Sequence, residues 1–404
     1  MIKYEKLENH VFVTKLAGFE HSKYIQYNET ESKVRDDDIP LVQGQNIRNG
    51  NFVEKYNYYI SKEISDNLSR SKLDKICILI PYVGSNLGEV GIFYHPYDCH
   101  MASNIAKIEL IDDYFDIEYL KYYLQSPVGQ GYLFIEKQGS AQPNITMQSI
   151  RNTLVLDKSK SEQTKIARIL KEIDDKININ FQIKNTLEEM MKTLYQRWFL
   201  EFEFPNEKGK PYKSSGGKMV WNSELKKEIP GCCKVLDLKN ILNVITGKED
   251  ANFSTKNGKY SFFTCSNDIL KCDTPAFRGK AILIAGNGDF NVKYFDGEFN
   301  AYQRTYVLIP KEEKYIGEIY INSINTINKF KKGSNGSIVK FITKGDVENI
   351  KILVPDNEIL LLELNKILNI VQNYKNENEK LIELRNDLLP MLMNGQINVD
   401  DVQI

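Results

Sequence analysis

From Ser161 to Phe202 the chain reads SEQTKIARILKEIDDKININFQIKNTLEEMMKTLYQRWFLEF, with no proline and no glycine. Nothing in that run breaks a helix, so it predicts one rod of roughly 40 residues, about 60 Å long at 1.5 Å per residue. Steps alternately four and three apart select Ile166, Leu170, Ile173, Ile177, Asn180, Lys184, Leu187, Met191, Leu194 and Trp198. That is a heptad seam, apolar except at its centre, and such a seam requires a partner helix. Asn180 and Lys184 stand where a polar group costs stability but fixes register, so both are expected to be registry devices. The same spacing between Glu358 and Leu392 selects Leu360, Leu364, Ile367, Val371, Tyr374, Asn378, Leu381, Arg385, Leu388 and Leu392. Asn378 and Arg385 are its polar breaks, and this second helix is the expected partner.

The rest of the chain repeats. Each half holds an opening strand, a short apolar strand ending in Gly, an amphipathic segment, a Gly-Ser loop, another strand and then a long helix. In the first half these are Phe12 to Thr14, KICILIPYVG (75–84), DIEYLKYYLQ (116–125), KQGSAQPNIT (137–146), IRNTLVL (150–156) and the central helix. In the second they are VLDLKNILNVITGK (235–248), KAILIAGNG (280–288), GEIYINSINTI (317–327), KKGSNGSIVK (331–340), VENIKILVP (347–355) and the C-terminal helix. The offset is about 200 residues throughout, which is the mark of a duplication. The predicted fold class is α+β, with two α/β domains in tandem, pseudo-twofold symmetry and two long antiparallel coiled-coil helices separating them. The expected division is 1–156, the helix 157–202, 203–355 and the helix with its tail, 356–404. Residues 205–231, rich in Gly, Pro, Lys and Ser, read as a linker or extended arm.

The chain has 404 residues, 42% hydrophobic and 26% charged, which is the composition of an ordinary globular protein. No stretch approaches 18 apolar residues and MIKYEKLENH has no apolar core segment, so a cytoplasmic protein without membrane contact is expected. Six cysteines show no C-x-x-C spacing and all four histidines fall within the first 100 residues, so no metal site is expected. The run Asp36-Asp37-Asp38 reads as a solvated loop. Charge is unevenly spread. Residues 1–155 carry 16 basic and 20 acidic side chains, a net −4, whereas residues 201–354 carry 24 and 18, a net +6. A basic second domain is a pointer to nucleic acid.

Catalytic motifs are missing from the sequence. There is no P-loop, no H-E-x-x-H and no Asn/Asp-Pro-Pro-aromatic motif, and Gly286-Asn287-Gly288-Asp289 is followed by turn signals rather than helical period, so it reads as a hairpin turn. What both halves offer is amide, hydroxyl and cationic side chains on glycine-rich loops. The candidates for DNA contact are Gln43, Gln45, Asn46, Arg48 and Asn49; Gln138, Ser140, Gln142 and Asn144; Ser266, Asn267, Gln303 and Arg304; and Lys331, Lys332, Ser334, Asn335 and Lys340. Asn and Gln pair bidentately with adenine, Arg with guanine, and Lys, Ser and backbone amides with phosphate.

The string LYQRWFLEFEFPNEKGKPYKSSGGKMVWNSELKKEIP (194–230), the helix start SEQTKIARILKEID, the loop QGSAQPNIT and the ending LRNDLLPMLMNGQINV (384–399) resemble the specificity subunits of type I restriction-modification systems. The resemblance spans essentially the whole chain, although GSNGSIVK lacks the Gln-Pro-Asn of the first loop. It implies a non-catalytic DNA-reading subunit with two target recognition domains, each reading one half of a split, asymmetric site in double-stranded DNA. It implies helices that set the spacing and dock two modification (methyltransferase) subunits, with restriction (motor-nuclease) subunits as further partners. S-adenosylmethionine, ATP and Mg would belong to those partners and no cofactor to this chain. Two alternatives stand beside it: a coiled-coil adaptor with protein-binding globular ends, and a fused restriction or methyltransferase enzyme.

Overall fold

The computed structural model describes residues 3–26, 28–135, 144–332, 341–397 and 399. It divides into two compact units, Met1–Ile177 with Lys380–Ile404, and Asn178–Glu379, so each long helix contributes a part to both. The central helix spans Lys160–Tyr195 and the C-terminal helix Ile359–Met393. Ser159 and Glu162 form a capping box at the start of the first, Ser159 Oγ accepting from Glu162 N at 3.3 Å and Glu162 Oε2 accepting from Ser159 N at 3.0 Å. The helix ends short of the predicted Phe202. A π-turn over Gln196–Leu200 intervenes, and Phe202 itself takes a left-handed φ of 65°, which a continuing helix cannot hold.

In the first unit the strands Val11–Lys15, Ile105–Leu110, Cys77–Pro81 and Gly91–Phe93 lie side by side in that order, all antiparallel. A second sheet runs Tyr59–Ile60, Ile39–Val42, Cys99–Met101, Lys72–Leu73, with Ile39–Val42 parallel to Cys99–Met101. Helix Ile117–Gln125 is N-capped by Asp116, which accepts from Glu118 N and Tyr119 N. Its Tyr119, Tyr122 and Tyr123 are fully buried, and each hydroxyl finds an acceptor: Leu156 O at 3.1 Å, Asp174 Oδ2 at 2.8 Å and Leu154 O at 2.7 Å. The seam is as predicted here. Ile166, Ala167 and Leu170 share a core with Leu392, Met393 and Val399, and Asp174 bonds Arg385 Nη1 at 2.8 Å. As the central helix advances, its partner's numbers fall, so the two segments are antiparallel.

In the second unit six strands lie in the order Leu242–Thr246, Thr305–Pro310, Phe277–Ala285, Val292–Ala301, Tyr260–Phe263, Ile269–Cys272. The first four repeat the four-stranded sheet of the first unit, and Tyr260–Phe263 is parallel to Val292–Ala301 as Ile39–Val42 is to Cys99–Met101. Helix Ile316–Lys332 occupies the place of Ile117–Gln125 in the element order. Gly286–Asp289 is the predicted turn between antiparallel strands. Residues 205–231 form an ordered arm. Its strands Met219–Asn222 and Lys227–Pro230 make a hairpin, and Phe202, Phe204 and Ile229 bury in the core of this unit.

Asn180 is fully buried in the seam, its Nδ2 donating to Glu377 Oε2 and Asn378 Oδ1, both at 2.9 Å. Asn180 and Asn378 thus bond from helix to helix in this unit, as Arg385 and Asp174 do in the first. Lys184 departs from its expected role. Its ammonium pairs at 3.1 Å with Glu188, one turn along its own helix, because a long flexible stem reaches an i,i+4 carboxylate without crossing the seam.

Candidate nucleic-acid interface

Three main-chain hydrogen bonds recur at one end of the sheet in each unit. In the first, Ala102 N donates to Val42 O (2.8 Å), Tyr82 N to Asn104 O (3.1 Å) and Ile145 N to Tyr82 O (3.1 Å). In the second, Tyr302 N donates to Phe263 O (2.9 Å), Gly286 N to Arg304 O (2.9 Å) and Ile342 N to Gly286 O (2.7 Å). Four chain segments, distant in sequence, are thereby stitched into one polar edge on each domain. The short helices that follow, Met147–Arg151 and Lys344–Glu348, are both N-capped by threonine, Thr146 accepting from Ser149 N and Thr343 from Asp346 N.

In the first unit the segment after Val42 turns tightly. Gln43 N and Asn46 Oδ1 bond at 2.8 Å, and Gln45 Nε2 donates to Gln43 Oε1 at 2.7 Å. Both glutamines are half-buried. Space at Gly44 is tight, since a Cβ would lie 2.9 Å from Asn104 Nδ2. Asn86 Nδ2 ties this segment to the next turn, donating to Gly44 O and Ile47 O. Arg48 and Asn49 are exposed at the tip of the hairpin Ile47–Arg48/Asn51–Phe52, where Asn49 (φ 51°) and Gly50 (φ 74°) make a two-residue turn of the I′ kind. Asn144 is exposed beside Ile145.

Asn46 belongs to the fold. It is 1% exposed and gives its amide to Val53 O and Lys55 O at 2.9 and 2.8 Å, which removes it from the base-reading candidates. Asn46→Ala is expected to cost about 1–3 kcal/mol by stranding those partners, measured as a lower melting temperature of the first unit.

In the second unit Ser266 and Asn267 are exposed in the turn after Phe263. Asn291 Nδ2 donates to Cys265 O and Ser266 O, Asn267 N donates to Asp289 Oδ2 at 3.1 Å, and Cys265 Sγ approaches Arg304 O at 3.4 Å. Ser266, Asn267 and Arg304 therefore share one edge. Gln303 is exposed but held aside by Asp250, to which its Nε2 donates at 2.8 Å. Lys293 donates to Ser266 O, and burial pushes its pKa down to about 8. Lys331, exposed at the end of helix Ile316–Lys332, lines a cleft with Phe290 and Asn291. Gln138, Ser140, Gln142, Ser334, Asn335 and Lys340 lie outside the described residues, as does the side chain of Lys332.

The two edges carry different side chains: Gln43, Gln45 and Asn144 with Arg48 and Asn49 on the first, Ser266, Asn267 and Arg304 with Lys293 and Lys331 nearby on the second. Asn86, Asn104, Asn291 and Lys293 escaped the sequence reading. Their one local signal is position, since Asn104 and Asn291 directly precede strands, Lys293 is the second residue of one, and Asn86 lies two residues past the closing Gly84. Among the described residues no group of three or more His, Cys, Asp and Glu could hold a metal ion, and no helix is long and apolar enough to cross a membrane.

A family model described as the type I restriction modification DNA specificity domain matches residues 21–189 and 232–388, most of the chain and both domains. The chain belongs to this family. It is a type I DNA specificity subunit, the non-catalytic part of the restriction-modification complex. The EcoDI specificity subunit of Escherichia coli is 33% identical over 177 residues, which is 42% of this chain and 40% of that one. The MjaVIII specificity subunit of Methanocaldococcus jannaschii is 25% identical over 403 residues, covering 87% of this chain and 88% of its own. The crystal structure of a type I S subunit from M. genitalium superposes with a TM-score of 0.59 at 17% identity, over 97% of this chain and 96% of that one, and so shares the fold.

Proposed function

We propose that residues 1–156 and 203–355 of this specificity subunit are two target recognition domains, each reading one half of a split, asymmetric site in double-stranded DNA through its polar edge. The paired helices hold the two readers at a set spacing and dock two modification subunits, and restriction subunits join that complex. S-adenosylmethionine, ATP and Mg then belong to the partners. The observation that carries this reading is the repeated trio of main-chain bonds, which builds the same edge twice from unlike side chains. The two edges display different sets of amide, hydroxyl and cationic groups, as two readers of different half-sites require.

Exchange tests it. Replacing residues 1–156 by the matching domain of a related subunit is expected to change one half of the methylated site and leave the other half intact. The readout is sequencing of methylated genomic DNA from cells carrying the chimera with its modification subunits. A folded chimera that alters both halves would show that the domains do not read independently.

A further inference from the structure

The outermost strands of the two sheets, Val11–Lys15 and Leu242–Thr246, are finished differently on their free sides. In the second unit Lys311 N donates to Ile241 O at 3.2 Å and Gly247 N to Thr305 O at 3.0 Å, so the odd-numbered residues of Leu242–Thr246 bond to the neighbouring strand Thr305–Pro310. The N–H and C=O groups of Leu242, Val244 and Thr246 therefore point away from the sheet. In the first unit Ile111 N donates to His10 O at 3.0 Å, which turns Val11, Val13 and Lys15 outward in the same way. Val13 stands opposite Ile108 and Val244 opposite Leu308, so these two residues occupy matching places.

In the first unit the free side is closed. Arg151, at the end of helix Met147–Arg151, gives Nη2 to Val13 O at 2.8 Å. Thr146 and Thr343 cap the two matching helices, so Glu348 takes the place of Arg151 in the second unit. A carboxylate cannot donate to a carbonyl, and Glu348 pairs instead with Lys344 of its own helix at 3.4 Å. Leu242 N is taken by Leu238 O, but among the described residues the outward N–H and C=O of Val244 and Thr246 have no partner.

What remains is an open trough between strand Leu242–Thr246 and helix Lys344–Glu348. The helix runs beside the strand from end to end. Before it, Ile342 O accepts from the hydroxyl of Tyr306, the residue opposite Thr246, at 2.8 Å; after it, Asn349 Oδ1 accepts from Lys239 Nζ at 3.5 Å, just ahead of Leu242. Lys344 thus lies toward one end of the trough and Lys239 at the other. A short bare strand can simply be hydrated, and proteins that leave one so commonly guard it with a lysine or a proline on the strand. LNVIT carries neither, and its Val, Ile and Thr are the residue types that suit strand pairing.

We propose that this trough receives an extended segment of a protein partner, which adds a strand to the second unit's sheet along Leu242–Thr246. Val244 and Thr246 supply the main-chain donors and acceptors, and Lys344 and Lys239 select a segment that is acidic at its ends. Because Arg151 closes the matching strand of the first unit, the segment binds once per chain. The proposal goes beyond the DNA reading above and does not depend on it.

The test selects a random heptapeptide library, displayed on phage, against the full chain. The most enriched peptide is then labelled and titrated against wild type, Thr246→Pro and Glu348→Arg. Proline at the exposed position 246 removes one outward N–H, and arginine at 348 reproduces the closure seen in the first unit. Enriched sequences are expected to be β-branched, acidic at their ends and free of central proline. Thr246→Pro should weaken the peptide by about fivefold to tenfold, the worth of one main-chain hydrogen bond, and Glu348→Arg by about tenfold or more. Amide exchange at Val244 and Thr246 should slow when the peptide is added to wild type. A selection that enriches no peptide overturns the proposal, and so does a peptide that all three proteins bind equally. Displacement of the peptide by duplex DNA also overturns it, since the trough would then belong to the nucleic-acid surface. Should one variant fail to fold, the other decides by the same titration.

Discussion

Asp174→Ala is expected to lower the unfolding free energy of the first unit by about 3–5 kcal/mol, the cost of leaving a buried charge without its partner. Asp174 accepts from Arg385 Nη1 and from Tyr122 OH, both at 2.8 Å, and Lys121 Nζ lies 3.7 Å away. The Asp174 side chain is 9% exposed and that of Lys121 6%, so solvent screens little of this cluster. Lys121 is already held below the ordinary lysine range by burial, a penalty that the Asp174 charge partly offsets. Removing the carboxylate strands the Lys121 ammonium and the Tyr122 phenol, while Arg385, a quarter exposed, keeps only Asn386 Oδ1 at 3.3 Å among the described residues. One residue here joins helix Ile117–Gln125, the central helix and the C-terminal segment, so urea denaturation followed by hydrogen exchange should place the loss in 117–125 and 380–393. A loss below about 1 kcal/mol would put the cluster in the class of exposed ion pairs. Replacing Asp174 by Asn together with Arg385 by Gln keeps hydrogen-bonding groups without the charges, and should recover much of the loss.

A second large effect is tied to pH. Glu318 is fully buried, and burial raises its pKa well above the usual carboxylate range. Its Oε1 accepts from Asn322 Nδ2 and Leu353 N at 3.4 Å, while Oε2 has no hydrogen-bond partner among the described residues. At the matching place in the first unit Glu118 has Lys171 Nζ at 3.1 Å. Among the described residues no ammonium pairs with Glu318. An acid whose folded pKa is raised binds more protons folded than unfolded, so its stabilising contribution is complete below the unfolded carboxylate range and is lost as pH rises toward the folded value. Glu318→Gln keeps the acceptor and removes the titration. Relative to wild type, the variant should therefore gain stability as pH rises, by up to about 1.4 kcal/mol per pH unit within that window. Urea denaturation at pH 5 and pH 8 measures this. A difference between the two proteins that does not change with pH would mean that Glu318 is charged in the fold and partnered.

The helices were legible because their information is local. A break-free run, a heptad and a polar centre fix the seam, and Asn180, Asn378 and Arg385 fall in it. Phase alone says which residue faces the partner, not how far a side chain reaches, so Lys184 was misplaced. The polar loops were legible as loops, yet which amide turns inward depends on the tight turn at Gly44–Asn46, and Asn46 went the other way from Gln43 and Gln45. Least legible were the edges. They form from strands that are neighbours in space but not in sequence, and the parallel pairing of Tyr260–Phe263 with Val292–Ala301 has no local signature.

The stitches along both edges join peptide groups to peptide groups, and a peptide group is nearly the same in every residue. Apart from the glycines at 44 and 286, where a Cβ would lie 2.9 Å from Asn104 Nδ2 and 2.7 Å from Arg304 O, the edge asks little of the side chains it displays. Exposed positions such as 144, 266, 267 and 304 can then drift through amides, cations and hydroxyls with small penalties in stability, typically within about 0.5 kcal/mol. On the proposed reading, selection on such a scaffold explores new target sequences faster than new folds, because the surface is rewritten while its frame does not register the change.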